Sequence, residues 1–255
     1  MTLKLNSTAG GSVSLDAPSG LASANTITLP STSGGTFLTT PLAAGTTTVP
    51  PLDFTAGTNM TTPDTGAMEY DGIKLMFTPI GTQRGVVPGM QYYELNSTLA
   101  LSATTSAQAW LGVGCTLSAS TVYAFQGTYA AIKTTTTTSH TLGQSFGGTA
   151  TLNNIGYTLF RYFDAAGFAT VNNAPAAMAY VQTASNITTM GSSAGATVYH
   201  IYTFNGIVSV NAGGTFIPQV TTSASGPIYT GQIGSYFMIY PIGASGSNIN
   251  VGTWA

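Results

Sequence analysis

Apolar and polar residues alternate with a period of two along most of the chain, and Gly, Pro and Asn interrupt the alternation at short intervals. This pattern predicts antiparallel strands joined by tight turns. It is densest between Ala196 and Gly243. There Val198, His200, Tyr202 and Phe204 alternate with Tyr199, Ile201 and Thr203. Asn205 and Gly206 predict a turn, 207–210 a second strand, Ala212, Gly213 and Gly214 another turn, and 215–220 a third strand. The run 235–240 is apolar on both faces, so both faces need cover, from a second sheet or from another copy of the chain. Tyr202, Phe204, Tyr236, Met238 and Tyr240 are the residues expected at such a subunit interface.

Further strands are predicted over 122–132, 140–146, 157–163 and 178–183, with turn signals at Gly147, Asn153, Gly167, Asn172 and Gly191. The threonine run 134–138 reads as an exposed hairpin tip. Only 99–111 is long enough for a helix, and its Ser and Thr content argues for loop or strand. Many short strands with regular turns over 91–255 predict an antiparallel β-sandwich, jelly-roll-like. Residues 1–48 are rich in Ser, Thr and Gly, with short alternations at Leu3 and Leu5, Val13 and Leu15, and Ile27 and Leu29. Such strands bury little alone and predict an extended arm that orders against a partner. Residues 49–90 carry Pro50, Pro51, Pro63, Pro79 and Pro88 and read as a connector. Asp71 and Gly72 predict a β-hairpin within it.

Composition sharpens this all-β reading. Of the 255 residues, 43% are hydrophobic, enough for a core, but only 5% are charged. That is far below the roughly 25% usual for soluble domains. Hydroxyl and amide groups must form the surface, or much of it must lie against other subunits. The five basic residues, Lys4, Lys74, Arg84, Lys133 and Arg161, form no cluster, which argues against nucleic acid and against an anionic membrane. No run of 18 apolar residues suggests membrane insertion, and the first residues lack the apolar stretch of a signal peptide. One cysteine, Cys115, permits no disulfide within the chain.

Catalytic chemistry is sparse. Glu94 and Asp164 are the only carboxylates in or beside the predicted sandwich, and as a glycosidase pair they would have to meet across subunits. His140 and His200 both sit in strand patterns and read as core or interface histidines rather than metal ligands. Cys115 lies among small apolar residues and reads as an inert thiol. Trp110, Tyr92, Tyr93, Trp254, Tyr199 and Tyr202 could make a sugar-binding platform, against the simpler reading of core and interface packing. The expectation is a non-enzymatic protein with no cofactor and no metal.

Three stretches carry a resemblance. The leader GGSVSLDAPSGLASANTITLPSTSGGTFLTT (10–40) resembles a segment near the start of tail-fibre-like and other structural proteins of tailed bacteriophages. The connector GAMEYDGIKLMFTPIGTQRGVVP (66–88) resembles the piece that follows it in such proteins. TFNGIVSVNAGGTFIPQV (203–220) and GSYFMIYPIG (234–243) resemble their C-terminal β-domain, a jelly roll of the tumour-necrosis-factor or C1q kind. The resemblance implies a homotrimeric appendage on the exterior of a virion, of tail-fibre or receptor-binding type. The alternative is a head fibre or capsid decoration protein. The arm, with Leu3, Leu5, Val13, Leu15, Ile27 and Leu29, would attach it to capsid or tail proteins, and the β-domain would face a host-surface glycan or protein.

Overall fold

The computed structural model describes residues 3–6, 12–15, 44–48, 50–164, 167, 176–193, 195–246 and 248–254. The chain divides into two units, Met1–Asp53 and Phe54–Ala255. In the first, β1 (Leu3–Asn6) pairs antiparallel with β2 (Ser12–Leu15), with Leu3 opposite Leu15 and Leu5 opposite Val13. Ile27 and Leu29 lie outside the described residues.

The second unit begins with a small neck sheet of β3 (Met68–Tyr70), β4 (Leu75–Phe77) and β5 (Gly85–Val87), all antiparallel. The β3–β4 turn spans 71–74. Asp71 Oδ1 accepts the N–H groups of Ile73 and Lys74 at 3.0 and 2.9 Å, and Gly72 takes φ 90°, a conformation that favours glycine. The neck also gathers charge. Lys74 pairs with Asp71 at 2.5 Å and Arg84 with Glu69 at 2.7 Å. Burial alone would push the Asp71 carboxyl up, but the hydrogen bonds from Lys74 and Ile73 and the Lys74 charge hold it down at about 2.

Thirteen strands follow. They are β6 (Gln91–Glu94), β7 (Leu99–Ala100), β8 (Gln108–Ala109), β9 (Cys115–Leu117), β10 (Thr121–Lys133), β11 (His140–Gly147) and β12 (Thr151–Asp164), then β13 (Ala176–Val181), β14 (Ile187–Ser193), β15 (Val198–Ala212), β16 (Gly214–Thr222), β17 (Tyr229–Gly231) and β18 (Tyr236–Ala244). The large sheet runs β13-β12-β15-β10, with β18 and β17 in succession along the next edge of β10; β6 pairs with β18 and β7 with β17. The small sheet runs β14-β11-β16, with β8 and β9 along β16. Every pairing is antiparallel, and no described residue is helical. The protein is all-β, and its two larger sheets form a β-sandwich.

The core lies between these sheets and is aromatic. Phe125, Tyr157, Phe204 and Phe237 from the large sheet meet Phe146 and Phe216 from the small one, with ring centres 5.1–6.3 Å apart. Trp110, just after β8, is 1% exposed and packs on Tyr129 and Tyr202. Its Nε1–H donates to Gln144 Oε1, and Gln144 is itself fully buried. Each such ring, fully buried, contributes roughly 1.5–3 kcal/mol of transfer free energy.

Several local expectations fail for tertiary reasons: Asn153 and Gly191, expected at turns, lie inside β12 and β14. Asn205 and Gly206 make no turn: β15 runs straight through them, Gly206 standing opposite Phe125 on one side and Tyr157 on the other. A Cβ at Gly206 would lie 2.4 Å from the Gly156 carbonyl oxygen, so glycine serves close strand approach there. The threonine run is not a hairpin tip either. It links β10 in the large sheet to β11 in the small one, and so bridges the sandwich at one end.

Candidate interaction surface

The two outer faces of the sandwich differ sharply. Burial alternates along much of β10, β12, β15 and β18, and register aligns the outward residues of the large sheet into rows. One row is Tyr180, Thr158, Asn205, Gln126, Met238 and Tyr92; the next is Met178, Phe160, Thr203, Thr128, Tyr236 and Glu94. Ile207 and Tyr240 belong to the row beside them, on either side of Ala124. Tyr92 stacks on Tyr236 with ring centres 5.7 Å apart, and its hydroxyl donates to Glu94 at 2.8 Å. Glu94 is the one charge in these rows.

The small sheet turns Thr141, Gly143, Ser145 and Gly147 outward on β11 and Thr215, Ile217, Gln219 and Thr221 on β16. Its glycines are already covered. A Cβ on Gly143 would meet the Asn186 amide at 2.2 Å, and one on Gly147 the Gln219 amide at 2.2 Å. Polar side chains of the same chain thus cover these two positions, whereas the large sheet leaves aromatic and thioether side chains open.

The interface expected from the sequence is split by this geometry. Tyr236, Met238 and Tyr240 are half-buried on the outer face of the large sheet. Tyr202 and Phe204 point the other way and are core residues. The sequence reading merged the two faces of one strand pattern. It also missed Phe160, Met178 and Tyr180, which lie on strands it assigned, because exposure depends on which strand ends at the sheet edge.

The end of the sandwich away from the neck is a hydroxyl-rich tip. Val86 of the neck lines a cavity with Val122, Ile207 and Ile242, which places the neck at the β10 start. Loops 102–107, 134–139 and 223–228 meet at the other end. Thr222 Oγ1 donates to the Thr104 carbonyl at 2.8 Å, the Ile228 N–H to Thr135 Oγ1 at 3.2 Å, and the Thr141 N–H to Ser223 Oγ at 2.8 Å. Thr136 sits at φ 57°, strained for a β-branched residue. Its carbonyl accepts a hydrogen bond from Lys133 Nζ at 3.1 Å, and Lys133 is fully buried. Thr136→Gly is expected to raise stability by about 1 kcal/mol by removing that strain, read as a higher urea midpoint at unchanged slope. An unchanged or lower midpoint would refute the strain.

Beneath the tip lie the histidines, both buried. His140 Nδ1 lies 2.9 Å from the Thr138 carbonyl and must donate to it, so Nε2 accepts the Tyr229 hydroxyl proton at 2.7 Å. Burial pulls the His140 imidazole down, partly countered by the Thr138 bond. His200 is fully buried, and neither ring nitrogen has a hydrogen-bond partner. Its ring packs against Phe163, Tyr202 and Tyr229. Both histidines thus lie in the core, His140 with both ring nitrogens hydrogen-bonded and His200 with neither.

The remaining candidates are spread apart. Glu94 lies in β6 and Asp164 in β12, with β18, β10 and β15 between them, about 19 Å across the sheet at strand spacing. Within one chain that exceeds the carboxylate separations of glycosidases, about 5–9.5 Å. Cys115 is half-buried, its thiol directed at the Phe216 carbonyl at 3.5 Å, and burial pushes it up to about 11. Among the described residues no three or more His, Cys, Asp or Glu side chains gather as a metal site would require. Of the aromatic platform residues, Trp110 and Tyr202 are in the core, Tyr199 is half-buried, and Tyr92, Tyr93 and Trp254 are exposed. No family model, no curated protein and no solved structure matches this chain.

Proposed function

We propose that this protein is a non-enzymatic structural component of a tailed-bacteriophage particle: a homotrimeric β-rich appendage of the tail-fibre or receptor-binding type. The observation that carries the assembly part of this reading is the open, nearly uncharged outer face of the large sheet, beside a small sheet whose outward Gly143 and Gly147 are covered by its own amides. Strand order lends support to a jelly-roll reading of the sandwich. β6-β18-β10-β15 faces β8-β16-β11-β14, and the β12–β13 pair is inserted at the β15 edge. The virion part rests on the resemblance of the leader, the connector and the last strands to phage structural proteins. In this reading the arm of residues 1–48 attaches to virion proteins, and the hydroxyl-rich tip, with its hydrogen-bonded loops, faces a host-surface glycan or protein.

A head fibre or capsid decoration protein is the second reading. It is favoured by the shortness of the neck, whose strands are three residues each, about 10 Å long. Immunogold labelling of particles with antibody against the sandwich separates the two. Gold at the tail is the expected result. Gold across the head would replace it with the decoration reading, and unlabelled mature particles would overturn both. Particles made with a chain lacking 1–48 are expected to lose the label.

A further inference from the structure

We propose that β13 and the aromatic rows beside it are the docking surface for a second copy of this chain. This deepens the self-assembly reading above and rests on it.

The β12–β13 pair extends the large sheet past the end of the small one. Along β13, residues 177–180 are exposed on both sides of the sheet. Ala177 and Ala179 stand opposite Arg161 and Leu159, on the side facing the sandwich interior, yet no small-sheet strand covers them. Met178 and Tyr180, on the outer side, are 75% and 69% exposed. Tyr180 lies across the sheet with its hydroxyl over Gly156, where a Cβ would be 2.5 Å away. Among the described residues β13 pairs only with β12, and its far edge has no strand partner there. The described strand, AAMAYV, carries no charge, proline or bulge. Natural sheets blunt an open edge with those devices or cover it. Among the described residues none is present at this edge, which suits it to cover by another chain.

The occupant is a second copy for three reasons. The surface is large enough: six strands about 4.8 Å apart and three rows about 6.7 Å apart give roughly 600 Å², near the roughly 800 Å² per partner of a stable interface. Its composition is that of an interface centre, with Tyr, Phe and Met enriched and charge confined to Glu94 at one margin. A face without charge neither selects an oppositely charged foreign partner nor repels its own copies. One chain also offers two unlike patches, the projecting edge of β13 and the flat rows around Met238, Tyr236 and Tyr92. Contact between unlike patches is heterologous, the kind that closes into rings such as a three-fold.

The test uses the full chain. Light scattering coupled to size exclusion is expected to give a multiple of the 26.0 kDa subunit for the unsubstituted protein. Met178→Glu with Tyr180→Glu should weaken association at least 100-fold and give a 26 kDa species with an unchanged circular dichroism spectrum. Thr188→Glu, exposed on the small sheet, should leave the oligomer intact. Amide exchange of the unsubstituted oligomer provides a readout independent of variant folding: 177–180 should be as protected as core strands. An oligomer that survives the double substitution, or in which β13 exchanges like an open edge, would overturn this docking surface while leaving self-assembly standing. A monomeric unsubstituted chain at micromolar concentration would instead overturn the self-assembly reading itself.

Discussion

Trp110→Ala is expected to lower the unfolding free energy by about 3–5 kcal/mol, a large part of a typical domain's total. The indole is 1% exposed and fills the space between Tyr129 on β10 and Tyr202 on β15. Its loss leaves a cavity against two strands at the centre of the large sheet, which strand pairing holds in place and keeps from collapsing. It also strands Gln144, whose buried Oε1 accepts the indole N–H. The chain around Trp110 is tied down separately, because the Trp110 N–H donates to the Pro218 carbonyl at 2.9 Å. Trp110→Phe keeps most of the ring but still orphans Gln144, so its cost should fall between those of the unsubstituted protein and Trp110→Ala. Urea titration followed by circular dichroism measures both. A loss below 1 kcal/mol for Trp110→Ala would mean that the indole is not a core element.

Acid is expected to destabilise the sandwich through His200. Burial holds its imidazole down at about 3, and the charges of Arg161, His140 and Lys133 push in the same direction. Tyr202, Tyr229 and Phe163 pack around it, and none of them gives its nitrogens a hydrogen bond. In the unfolded chain the same group binds a proton near 6.5. Between those two values the unfolded state holds more protons. The contribution is therefore fully present above pH 6.5 and is lost as pH falls towards 3, by about 1.4 kcal/mol per pH unit. From pH 7 to pH 4.5 that amounts to about 2.7 kcal/mol. His140, also pulled down by burial, acts in the same sense. His200→Phe should match or exceed the original stability at pH 7, since it removes two buried nitrogens without partners, and should flatten the pH dependence. Urea midpoints at pH 7 and pH 4.5 for both proteins test this. Equal losses in both would clear His200 of any role.

What could be read from the sequence follows the range of the forces involved. The long strands were legible because alternation reports a strand with one face in the core. The expected 122–132 and 140–146 correspond to Thr121–Lys133 and His140–Gly147. Asn205 and Gly206 misled because a turn signal is local, while β15 is held by partners on both edges. β5 was missed because three residues are too few to show a period. The exposed face could be read only in part: Tyr236 and Met238 were found from a run apolar on both sides. Met178 and Tyr180 were not, since nothing in AAMAYV says that its strand ends the sheet. The unpartnered nitrogens of His200 had no local signal at all, because they depend on rings contributed by β12, β15 and β17.

The central strand of the large sheet has one last consequence, for how the molecule is made. β10 ends at Lys133, but its neighbours are β15 on one edge and β18 on the other, the latter ending at Ala244. Neither edge can be satisfied by chain already synthesised when β10 emerges from the ribosome. Loops of this length close slowly, so the nascent polypeptide holds its apolar segments open until β18 has been translated. A chain cut short anywhere before Tyr236 therefore yields no smaller sandwich, only a polypeptide with an unsealed central ribbon, prone to pair with the next one released.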